Sequence, residues 1–200
     1  MKSIFWLGLF TFGVSGLAHA QAKNPKYVYD QEKGVILFRP SGEEWSCKKP
    51  EEGDDVFFRD TVAMVYHRLE DVGVQVCVNE KEQNQSFPSL KEAASNQLKA
   101  YQTNSNKQPI QGRKVVTKLN VPRKFPGAGG PKAQYLECEI DDSGRNGPKT
   151  TLRQYFFIKK KNANHLVIIT ITGNAESYKK HQRKVLWILA KMRTEKVKKR

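Results

Sequence analysis

Histidine is scarce in this chain, and its scarcity narrows the available chemistry. Beyond the first twenty residues the sequence holds only His67, His165 and His181. A cysteine nucleophile needs a depressed thiol pKa and a histidine within hydrogen-bond reach. His165 falls in an apolar strand pattern and His181 on the apolar side of a helical one, placements that suit core histidines. Gly-x-Ser-x-Gly, His-Glu-x-x-His, Cys-x-x-Cys and P-loop motifs are all missing. No metal ligand set and no cofactor are therefore expected, and a non-enzyme is the favoured reading.

Cysteine is almost as rare. Cys47, Cys77 and Cys138 are an odd number, enough for one disulfide and one free thiol in an oxidising compartment. Spacing does not determine the pairing. The candidate pair is Cys47 and Cys77, which would join the loop after Trp45 to a nearby strand. Cys138 alternates with Leu136 and Ile140, as a buried, inert thiol would.

Long apolar runs are confined to one place. Ile4 to Leu17 follows Lys2 and precedes Ala18-His19-Ala20, the pattern of a secretory signal cleaved before Gln21. The run is too short for a comfortable membrane span. No cysteine stands at the cleavage point to carry a lipid. Residues 1–20 are thus expected to be a signal peptide of bacterial type, leaving an exported protein, periplasmic or secreted.

Acids are also in deficit. Lys and Arg number 35 against 20 Asp and Glu, a formal net charge of +15. Such an excess speaks to polyanionic surroundings: anionic lipid, cell-wall polymer or, less favoured, nucleic acid. Six of the acids, Glu43, Glu44, Glu51, Glu52, Asp54 and Asp55, fall in one loop. Lys48, Lys49 and Pro50 interrupt them, and their spacing matches no calcium loop, so a solvated loop is expected.

What remains is enough for one domain, expected over 21–193, with 194–200 as a basic tail. Short strands are expected at 26–30, 34–39 and 56–59, then longer ones at 62–69 and 72–79. The last alternates Val72, Val74, Val76 and Val78 cleanly. Ser89 and Glu92 form a capping box for a helix carrying Leu90, Ala94, Leu98 and Tyr101 on one stripe. Strands follow at 115–121 and 133–140. The glycine-rich run Pro126–Pro131 between them leads into a strand rather than a helix, so it reads as a hairpin loop and not a phosphate cradle.

The C-terminal unit, Thr151 to Met192, organises the rest. Leu152–Ile158 and His165–Ile171 are rich in β-branched and aromatic residues, and the second is apolar on both faces, as a central strand covered on both sides would be. Asn174 can cap the helix that follows. At about 100° per residue, Val185, Ile188, Leu189 and Met192 fall in one sector with Tyr178 and His181. Trp187 lands opposite, among Lys180, Arg183, Lys184 and Lys191. An aromatic anchor inside a cationic face suits an anionic polymer or lipid interface. Lys159, Lys160 and Lys161 between the two strands could extend that face.

The early strand ending in Arg39-Pro40-Ser41-Gly42-Glu43-Glu44-Trp45, the capped helix, and the closing strand, strand and helix with Tyr178, Ile188 and Leu189 together resemble the PsbP-like fold family. That resemblance implies an α+β fold, a mainly antiparallel sheet sandwiched by helices, and an accessory or binding role rather than catalysis. Many bacterial relatives are lipoproteins, and the missing lipobox cysteine is a departure from them. The function expected is an exported, non-catalytic binding or accessory protein that engages an anionic envelope surface or a protein partner. The alternatives are a secreted cysteine-dependent hydrolase using Cys47 or Cys138, or a structural subunit of an envelope complex.

Overall fold

A computed structural model describes residues 25–49, 61–81, 87, 89–127, 129–159 and 162–194. The expected signal peptide, the acids at 51–55, the strand expected at 56–59, Lys160, Lys161 and the tail beyond Thr194 lie outside the described residues. The first half contains β1 (Tyr27–Asp30), β2 (Val35–Phe38), β3 (Trp45–Lys48), β4 (Thr61–His67), β5 (Val72–Glu80) and helix α1 (Leu90–Gln102). The second contains β6 (Lys114–Lys124), β7 (Lys132–Asp141), β8 (Lys149–Lys159), β9 (Asn162–Gly173), α2 (Ala175–Lys191) and β10 (Arg193–Thr194).

Seven strands form one antiparallel sheet in the order β3-β4-β5-β9-β8-β7-β6. β9 lies at its centre between β5 and β8, as its two apolar faces require. Leu166 and Ile168 pack on one side with Leu136, Phe156 and Ala94 of α1. Val167, Ile169 and Ile171 pack on the other with Val185, Ile188, Leu189 and Met192. The valines of β5 are buried at every second position on that same side, and Cys77 faces the α1 side. One sheet between α1 and α2 makes the α/β/α sandwich expected of this α+β chain.

β1, β2 and β10 form a small antiparallel sheet on the α2 side, where Val28, Val35 and Leu37 join the larger core. Ser89 caps α1, its hydroxyl accepting the Glu92 amide at 3.2 Å. The glycine-rich run connects β6 to β7, so the hairpin reading holds. Among the described residues no helix is long and apolar enough to cross a membrane.

Candidate functional site

Helix α2 is held from three directions, and this determines which of its residues face outward. At its start the Asn174 side chain accepts the Ser177 amide at 2.8 Å. The Arg153 guanidinium lies over the Tyr178 ring, 3.6 Å from its centroid. Val185, Ile188, Leu189 and Met192 are buried. The opposite face carries Trp187, 40% exposed, and next to it Leu186, 41% exposed. Arg183 and Lys191, also exposed, lie on the same face.

The other two cations expected there are engaged. Lys180 pairs with Glu70, and Lys184 with Glu44 at 2.6 Å. Each lysine holds its partner carboxylate below the usual range, and Glu70 in turn raises Lys180. The free charge around Trp187 is thus smaller than a helical wheel suggests. β8 ends at Lys159, but the side chain of Lys159 and residues 160 and 161 lie outside what the structure describes.

Glu44 comes from the loop between β2 and β3. Arg39 closes this loop, donating to the carbonyls of Gly42 at 2.6 Å and Trp45 at 3.3 Å. The same loop delivers Trp45, fully buried, beneath α2. Its ring meets His67 and His181 edge-on, with centroids 5.3 and 5.6 Å away. The two imidazoles face each other at 4.4 Å. Burial pushes His67 below its ordinary value near 6.5, and the neighbouring His181 acts in the same direction.

Glu70, in the turn between β4 and β5, completes this group. Its Oε2 lies 3.1 Å from His181 Nε2, a close polar contact that helps hold the carboxyl low although it falls short of a well-formed hydrogen bond. His181 lies on the packing side, as its helical position predicts, but its neighbours His67 and Glu70 come from over a hundred residues earlier, and their spacing of three across a turn is the only local signal of the group.

The expected Cys47–Cys77 disulfide is corrected: none of the three cysteines is in a disulfide. Cys47 pairs across β3 and β4 with Val65 and packs with Trp45, whereas Cys77 faces α1. β4 lies between them and they point to opposite sides of the sheet, beyond the reach of a disulfide. Burial raises the Cys47 thiol, and it raises Cys138 to about 11.

No family model matches the chain, and no curated protein matches it in sequence. Solved structures do match. Cyanobacterial PsbP (CyanoP) from Synechocystis sp. PCC 6803 superposes with a TM-score of 0.58 at 10% identity, covering 92% of this chain and all of that one. LpqN of Mycobacterium tuberculosis, described as involved in cell envelope biogenesis, gives a TM-score of 0.47 at 9% identity over 84% of this chain and 88% of that one. The chain has a PsbP-like fold.

Proposed function

We propose, from a PsbP-like fold as the starting point, that this is an exported, non-catalytic accessory protein whose docking surface is the outer face of α2. One observation carries the reading: Trp187 is 40% exposed at the centre of a helix face that also presents Arg183 and Lys191. The core side of α2 is already filled by Val185, Ile188 and Leu189, so Trp187 is not needed to hold the helix down. The ligand favoured by the charge excess is an anionic envelope surface, lipid or cell-wall polymer. The cations would supply salt-screened attraction and the indole an apolar anchor. Export rests on the composition of residues 1–20.

A protein partner is the second reading. Its support is the pairing of Lys180 and Lys184, which leaves Trp187 and Arg183, residue types enriched in interface hot spots, exposed on this face beside Leu186 and Lys191. The hydrolase alternative finds no support, since Cys47 and Cys138 are buried with raised thiol pKa values.

Mature protein and a Trp187→Ala variant, tested on vesicles with and without phosphatidylglycerol and on envelope extract at two salt concentrations, separate these readings. Vesicle binding that needs the anionic lipid, falls with salt and drops in the variant supports the first. A defined protein retained at high salt and lost in the variant supports the second. Binding that ignores both salt and the tryptophan overturns the docking surface.

A further inference from the structure

Beneath that outer face the group His67, Glu70 and His181 has a property that docking does not use. One donor atom from each side chain lies within 4.8 Å of the others. His67 and Glu70 come from the end of β4 and the turn that follows it, and His181 from the second turn of α2. Tetrahedral zinc with donors at 2.0–2.2 Å places its ligands about 3.4 Å apart, so Glu70 and His181, 3.1 Å apart, are near that spacing and the wider gaps must close by up to about 1.4 Å.

His67 Nδ1 is an acceptor, its lone pair taking the Leu69 amide at 3.3 Å, and a metal bound there would displace that long bond. The His181 side chain is nine-tenths buried, and its Nε2 has no well-formed hydrogen bond among the described residues, yet it faces Glu70 Oε2 at 3.1 Å. The two atoms are near enough to bind one cation side by side. Glu70 can serve both roles because Lys180 takes only its other oxygen. Lys180 and Lys184 are offset by Glu70 and Glu44, so the surrounding charge is balanced.

We propose that His67, Glu70 and His181 form a binding site for a divalent transition metal of the zinc class, clipping α2 to the β4–β5 turn. Two imidazoles and one carboxylate suit zinc, and three protein donors leave a fourth position for water. Glu70, 23% exposed at its side chain, gives the ion a route in. Trp45 walls the inner side and limits hydration there. This inference stands apart from the docking reading, because the ligands are not on the outer face.

The test uses untagged mature protein stripped with chelator, then given zinc alone. One zinc per chain retained on dialysis, and a Tm raised by about 4 °C or more at saturating zinc, are expected. His67→Gln and His181→Gln should each abolish both effects. Glu70→Gln, in a partly exposed turn, keeps the fold if the buried variants do not, and should weaken zinc at least tenfold. Cobalt should give the visible absorption of a tetrahedral site in the native chain and lose it in Glu70→Gln. No retained zinc and no Tm change overturns the site, as does zinc held equally by all three variants.

Discussion

The α carbon of Gly127 packs against the carbonyl oxygen of Leu189, so closely that a Cβ there would lie 1.9 Å from that oxygen. The β6–β7 loop is thereby seated on the last turn of α2. Phe125, two residues earlier, is buried against Tyr155 and Phe157 in the same core.

Gly127→Ala must push the loop or the helix end away. A loss of about 1–3 kcal/mol is expected, within the range for overpacking a fixed contact. Urea unfolding should show a lower midpoint with an unchanged slope. Gly129, which has open space where a Cβ would go, has a positive φ of 77°, so its alanine variant would be strained for a different reason and is no control. A neutral Gly127→Ala would show that the loop does not pin α2.

At the far end of β7 the Arg113 guanidinium closes on Asp142 with two parallel hydrogen bonds, the Nε–Oδ1 bond being 2.6 Å. Their side chains are 1% and 8% exposed. Arg113 also donates to the Tyr101 carbonyl at 3.4 Å, joining α1 to the sheet. Arg113→Met strands a buried carboxylate and should cost about 3–5 kcal/mol. Adding Asp142→Leu should recover a large part of that loss, because the penalty lies in the unpaired charge. A double variant no better than the single one, by denaturant unfolding, would place the loss in packing instead.

Much of the architecture was legible because it is carried by local pattern. The Val72 to Val78 alternation, the two-faced run at His165–Ile171 and the caps Ser89 and Asn174 each report a period or an end chemistry that the strand or helix itself demands. β3 was not legible: Trp-Ser-Cys-Lys has no clean alternation and becomes a strand by pairing with β4. The charge state of the α2 face was hidden for a similar reason. Lys180 and Lys184 meet carboxylates 110 and 140 residues away, a relation that only sheet order and loop course create. The sidedness of Cys47 against Cys77 likewise depends on β4 lying between them.

Thiol reactivity checks that correction. At pH 7.5 a thiol with a pKa of about 11 is ionised in only about one molecule in three thousand, and Cys138 has no exposed surface. Iodoacetamide on the native chain should leave Cys138 and Cys47 unlabelled and modify Cys77 first, since only Cys77 is partly exposed. In urea without reductant, mass spectrometry should count three labels. One label would restore a disulfide, and rapid native labelling of Cys138 would contradict its burial.

Acid should weaken the β7–β8 connection through Asp141. Its carboxylate accepts the Ser143 amide at 2.9 Å and lies 3.2 Å from the Lys149 ammonium. Hydrogen bonds from Ser143, with Lys149 assisting, hold its pKa down to about 2 from an ordinary 3.8. A carboxylate depressed in the folded state binds fewer protons there than when unfolded, so its stabilisation is complete above about pH 4 and drains away as pH falls towards 2. Asp141→Asn keeps an acceptor for the amide but loses the charge. The variant should have the lower Tm at pH 6, and the gap between the two proteins should close between pH 4 and 2. Taking the difference between the proteins removes the other carboxylates that titrate in the same window. A gap that stays constant down to pH 2 would mean that the charge of Asp141 contributes nothing to the fold.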